Sequence, residues 1–183
     1  MIRLSEEILT VEDLKEFFVT KQGTVRAVDT ISFSVKQGET CGLVGESGSG
    51  KTTVAHTLVG IYEPTGGRVF FKGQSISRVF DQRPKSLKKD IRIVFQDPGS
   101  SLNPRRSIKQ ILELPLKVHR ICSNSDRTEK VMELLRMVEL PPEDYMYKYP
   151  QAIGGGEKQM VAIARALAPN PSFVVLDEPT SAL

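Results

Sequence analysis

The stretch Leu43 to Thr53, LVGESGSGKTT, limits what this chain can fold into more than any other. It satisfies G-x-x-x-x-G-K-[ST], with Gly45, Gly50, Lys51 and Thr52 at the required places. A triphosphate packs several negative charges into a small volume. It is best held by backbone N–H groups that converge where a loop runs into a helix N-terminus, because the partial positive charge of the helix lies there too. Glycines at 45, 48 and 50 let the backbone close around such a group without Cβ clashes. On this reading Gly45, Glu46, Ser47, Gly48, Ser49, Gly50, Lys51, Thr52 and Thr53 form the phosphate cradle. Lys51 reaches the β- and γ-phosphates and the Thr52 hydroxyl ligates Mg²⁺. The apolar run Cys41 to Val44 reads as a buried strand before the loop, and KTTVAHTLVG reads as a helix after it.

Composition removes several other classes. With 183 residues, 39% hydrophobic and 26% charged, one soluble domain is the expectation. No apolar run approaches the roughly 18–20 residues that cross a bilayer, and no apolar segment follows a basic start as in a signal peptide. Cys41 and Cys122 lack CxxC spacing and read as reduced thiols. His56 and His119 are too few for a His-based zinc site, and the residue types of a Ser-His-Asp triad lack support. A net charge of +3 is too mild to argue for nucleic acid, and the basic patch Arg83 to Lys89 reads as a solvated loop.

In chain order, LTVEDLKEFFVT alternates as an edge strand does, and Val25 to Val35 as a half-buried strand. Gln37-Gly38-Glu39 turns the chain toward the phosphate loop. Glu63 to Gly67 is a turn cluster, followed by a hairpin strand from Arg68 to Phe71. Residues 77–90 read as a surface loop broken by Pro84, and Ile91 to Phe95 as a short buried strand; Gly99 to Pro104 reads as irregular. Helical spacing then recurs three times: from Ser107, where Pro115 kinks or ends the run, from Asp126 to Leu140, and after Gly154-Gly155-Gly156. The last carries Met160, Val161, Ile163, Ala164 and Leu167 as its apolar stripe. Phe173 to Leu176 is fully apolar, as buried parallel strands are, with Asp177 and Glu178 at its C-terminal end, where open α/β sheets place their chemistry. There Asp177 would hold Mg²⁺, directly or through water, and Glu178 would orient or deprotonate an attacking water.

The order GESGSGKTT, FQDP, IGGGEKQMVAIARAL, VVLDEPTSAL resembles the ATP-binding subunits of ABC transporters over nearly the whole chain. TVRAVDTISFSV, LVGIYEPTGGRV and VFQDPGSSLNPRRSI resemble the oligopeptide/dipeptide importer group. The resemblance implies an α/β fold of P-loop NTPase type: a RecA-like core with an antiparallel β-subdomain and a helical subdomain inserted across about residues 98–165. It implies ATP and Mg²⁺ as cofactors, a second ATP-binding subunit (identical or paralogous) in a head-to-tail dimer, transmembrane permease subunits as partners, and a peripheral place on the cytoplasmic face of the membrane. Gln96 then matches the glutamine that senses the γ-phosphate through Mg²⁺, and Phe18 is the adenine-stacking aromatic, with Phe17 as the alternative. Gly154, Gly155 and Gly156 present backbone N–H groups to the partner's nucleotide, and Pro179 to Leu183 begins the D-loop. A non-transport ABC ATPase and an ATP-binding remnant without turnover are the competing readings.

Two departures stand out. The usual LSGGQ signature reads Ile153-Gly154-Gly155-Gly156-Glu157, which removes a serine hydroxyl and adds a negative charge near a triphosphate. This signature is therefore expected to serve its partner's site less well. The sequence also reaches only Leu183, before the D-loop aspartate and the histidine switch of the family. From this, the expectation is a domain incomplete at its C-terminus, aggregation-prone, and better at binding ATP than at hydrolysing it.

Overall fold

The computed structural model describes residues 7–179, and its contacts divide the chain into two compact units, Met1–Pro84 and Lys85–Leu183.

In the first unit β1 (Glu7–Thr20) and β2 (Gly23–Lys36) form an antiparallel hairpin, followed by α1 (Lys51–Val59) and the short hairpin of β3 (Gly66–Phe71) and β4 (Gln74–Ser75). The sheet order is β2-β1-β3-β4. The β1 segment, expected at an edge, is therefore an inner strand, hydrogen-bonded on both sides. Alternation reports which face a residue lies on and is silent about how many neighbours a strand has. The edge position falls to β2, where only Val28 and Val35 are buried. A bulge sits at Asp13 (φ +47°) where the register slips, and Gly67 (φ +79°) packs on it; a Cβ there would lie 2.3 Å from the Asp13 carbonyl oxygen. Leu9, Val11, Leu14, Val54, Leu58, Val69 and Phe71 form the core of this unit.

The segment before the phosphate loop differs from expectation. Residues 40–44 form no strand, and Leu43 and Val44 are 51% and 94% exposed. An extended run becomes a strand only when a neighbour satisfies its backbone groups, and among the described residues none pairs with it. Arg83 departs in the other direction. Far from lying in a solvated loop, it is 5% exposed, and its guanidinium donates to the carbonyls of Leu58 (2.7 Å), Ile76 (2.8 Å), Arg78 (2.8 Å) and Thr57 (3.4 Å). It thus closes the C-terminal end of α1, and burial pushes its pKa down to about 10. Gly60 (φ +85°) makes room for it, since a Cβ there would be 2.7 Å from the guanidinium carbon.

In the second unit α2 (Lys85–Asp90) leads into β5 (Ile91–Val94), where a loop was expected. The short α3 (Pro98–Ser101) takes up the first part of the stretch expected to be irregular, where Asp97 caps it by accepting the Gly99 N–H at 2.8 Å, and residues 102–104 lie outside any helix or strand. Next come α4 (Ile108–Val118), α5 (Arg127–Met137), α6 (Pro142–Tyr145) and α7 (Gly155–Leu167), then β6 (Phe173–Leu176). A reciprocal capping box between Ser107 and Gln110 starts α4, and Pro115 lies inside the helix without ending it. The apolar faces of α4, α5 and α7 meet: Ile108, Leu112, Leu116, Val131, Leu135, Val161 and Ala164 are fully buried. Met160 and Ile163 pack only at the margin of this core, and the small residues Ala162 and Ala166 take the inner face of α7. Strands β5 and β6 pair in parallel, as expected, but Leu176 is 54% exposed, so burial of the run is partial.

Candidate functional site

In the first unit the loop after Val44 tightens into a turn, with Ser49 N–H donating to Glu46 O at 3.2 Å. Gly48 (φ +81°) and Gly50 (φ +93°) take the left-handed conformation that side chains resist. At Gly50 the need is also steric: a Cβ would sit 2.1 Å from the Ala27 carbonyl oxygen on β2. Helix α1 then starts at Lys51 with no side-chain cap, and Val54 N–H closes its first turn on Gly50 O at 2.9 Å. The Lys51 ammonium folds back over the loop and donates to Gly45 O (2.8 Å) and Glu46 O (2.6 Å). The expected loop–helix junction is present, and in it a cation and a helix N-terminus share one end. Beside it opens a cavity of about 340 Å³ lined by Gly45, Ser49, Gly50 and Lys51 on one side and Ala27 and Asp29 of β2 on another.

The two aromatic candidates have different surroundings. Phe18 meets Tyr62 edge-on with centroids 5.1 Å apart, and Tyr62 in turn lies 5.6 Å from His56. The Phe17 ring lies under the Arg26 guanidinium at 5.4 Å. Next to them Glu16 is 4% exposed, with Oε2 buried and unpartnered; burial raises its pKa, against the hydrogen bond to Thr57. No sequence signal singled it out.

In the second unit the parallel register Val94↔Leu176 brings the C-terminal ends of β5 and β6 side by side. Asp177 N–H donates to Val94 O at 3.0 Å and the residue is 7% exposed. Glu178 follows at φ +45°, and its Oε2 accepts from Gln96 Nε2 at 2.7 Å. Gln96, Asp177 and Glu178 are therefore brought together, and the direct Gln96–Glu178 bond was not foreseen.

Gly154 stands as the extended N-cap of α7, with Gly155 and Gly156 in its first turn. Glu157 turns back. It accepts from the Gly154 N–H, and its Oε1 accepts from Tyr145 Oη at 2.5 Å. These bonds, Tyr145 first, hold its carboxyl below the usual range, and the same contact raises the Tyr145 phenol. No motif in the sequence marks Tyr145, which alternates with Tyr147 and Tyr149. Of the segment expected to begin the D-loop, Pro179 is described and Thr180 to Leu183 lie outside the described residues.

A glycine-lined phosphate loop heading α1, and in the other unit a parallel strand pair ending in an acidic dyad, define a P-loop nucleotide-binding protein. The ABC transporter family model matches residues 28–181, and the chain belongs to that family. It is 45% identical to the oligopeptide transport ATP-binding protein AppF of Bacillus subtilis (strain 168), covering 97% of this chain and 56% of that protein. It is 41% identical to OppF of the same organism, an oligopeptide transport ATP-binding protein, covering 98% and 59%. The chain thus spans somewhat over half the length of these relatives. Among solved structures, the dimeric post-hydrolysis state of the ATP-binding cassette MJ0796 bound to ADP and Pi superposes with a TM-score of 0.82 at 29% identity, covering 96% of this chain and 75% of that one. CbiO1 of Clostridium perfringens, part of the ABC transporter complex cbiONQ, gives 0.77 at 30% identity over 97% and 68%. The fold is that of an ABC cassette. Among the described residues no helix is long and apolar enough to cross a membrane.

Proposed function

We propose that this chain is a nucleotide-binding domain that couples Mg-ATP hydrolysis to peptide import through an ABC transporter. The observation that carries it is the Lys51 ammonium drawn over a glycine loop at the head of α1. Names of relatives at 41–45% identity support the peptide.

In this reading Gly45 to Thr53 bind the phosphates, and Lys51 exchanges two carbonyls for phosphate oxygens. The donors proposed for Mg²⁺ are a hydroxyl (Thr52), a carboxylate (Asp177) and an amide oxygen (Gln96), all hard oxygen ligands of the kind that cation takes. Mg²⁺ supplies charge neutralisation of the phosphates when bound. The amide of Gln96 serves two partners: Nε2 holds Glu178, and Oε1 is the end able to ligate a cation. Glu178 positions or deprotonates the attacking water. Phe18 stacks the adenine, with Phe17 as the alternative. Gly154 to Gly156 direct their N–H groups at a nucleotide held by a second ATP-binding subunit in a head-to-tail dimer. The domain is one ABC unit whose helical subdomain covers about residues 98–165; permease subunits hold it on the cytoplasmic membrane face.

The test uses the full-length subunit in its assembled transporter. Glu178→Gln is expected to lower ATP turnover by about a hundredfold or more, the weight of a general base, with ATP binding retained. Unchanged turnover removes Glu178 from its role. Stimulation by a nickel- or sugar-loaded binding protein, and none by a peptide-loaded one, refutes the peptide assignment.

A further inference from the structure

Both oxygens of Glu157 are engaged: one accepts from the Gly154 N–H and the other from the Tyr145 hydroxyl at 2.5 Å. The Tyr145 ring is itself held from above by the Lys148 ammonium, 4.4 Å from its centroid. Space at Gly154 belongs to the same arrangement. A Cβ there would lie 3.1 Å from Glu157 Oε2, a close contact that the end of this side chain relieves by moving a few tenths of an ångström. The first-turn N–H groups of Gly155, Gly156 and Glu157 have no intrahelical acceptors. A glutamate released from Tyr145 could swing across those donors and occupy them with its own charge.

We propose that Tyr145 is a positioning residue of the signature. Its hydroxyl keeps Glu157 turned onto Gly154 and so leaves the first turn of α7 open to the γ-phosphate of a partner-bound nucleotide. The two departures from the usual signature, Gly154 and Glu157, are joined through the Gly154 N–H, and the Tyr145 phenol holds the charge aside. This rests on the head-to-tail reading given above.

Tyr145→Phe keeps the ring, its packing and the Lys148 contact and removes only the hydroxyl. In the full-length subunit assembled in its transporter it is expected to raise the KM for ATP about three- to fivefold, as a partly solvated hydrogen bond to a charge would, with little change in kcat. Glu157→Gln alone is expected to show a KM at or below the wild-type value. The double variant should match Glu157→Gln, because without the charge there is nothing to hold aside. A wild-type KM in Tyr145→Phe overturns the proposal, as does a rise that persists undiminished in the Glu157→Gln background, which would make Tyr145 a packing residue only. A wild-type complex that does not turn ATP over refutes the head-to-tail ATPase reading itself, a failure visible before any variant is compared.

Discussion

Arg83→Met tests whether one buried cation fixes the end of the helix that carries the phosphate loop. Methionine keeps an unbranched apolar stem of similar length and removes every donor. Three carbonyls, those of Leu58, Ile76 and Arg78, then lose bonds of 2.7–2.8 Å at a site only 5% exposed. Each buried acceptor left unpaired costs about 1–3 kcal/mol. Against this stands the relief of no longer burying a charge, which is worth several kcal/mol. The balance is a loss of roughly 2–4 kcal/mol, within the range for breaking a buried polar network. At roughly 2–4 °C per kcal/mol for a chain of this size, the melting temperature falls by about 4–16 °C. Arg83→Lys, which brings three donors from a single point, should recover only part of it. Thermal denaturation followed by circular dichroism reads the difference. A shift within about 1 °C for Arg83→Met would show that water replaces the guanidinium at little cost and that α1 needs no such clamp.

Two further outcomes follow from the same unit. Glu16 has a raised pKa, so the fold favours its protonated form and loses stability as pH climbs through the ordinary carboxylate range. Glu16→Gln should therefore raise the melting temperature near neutral pH and leave it unchanged at acid pH; an equal shift at both would detach the effect from ionisation. Gly50→Ala would force a Cβ to 2.1 Å from the Ala27 carbonyl at φ +93°. It should abolish the stabilisation by Mg-ATP seen in a thermal-shift assay, and a preserved shift would mean that the loop can re-form away from β2.

What the sequence made legible was local. The phosphate loop, the helix behind it and the Asp177-Glu178 strand end each carry their chemistry in adjacent residues, and the Val131, Leu134, Leu135 face of α5 follows from spacing alone. Arg83 was illegible because its partners are main-chain carbonyls, which every residue has and no motif marks. The Gln96–Glu178 bond joins positions 82 apart through a strand register that neither segment encodes by itself. The run Cys41 to Val44 shows the converse limit: apolar residues state a preference for burial, but a strand also needs a neighbour to receive its hydrogen bonds. Glu157 was read as a negative charge near a triphosphate; the direction it takes in the first turn of α7 depends on Tyr145, a residue with no motif of its own.

The left-handed backbone of Glu178, at φ +45°, has an evolutionary consequence. A non-glycine residue there carries a conformational penalty of roughly 1–2 kcal/mol, which glycine would lift. The carboxylate and the backbone thus make opposite demands on a single codon. On the proposed role of Glu178, selection for heat resistance alone would drift this position toward glycine or asparagine and lose the general base as it did so. On that proposal, a glutamate kept there by a lineage is a record that turnover, and not mere persistence of the folded chain, was being selected.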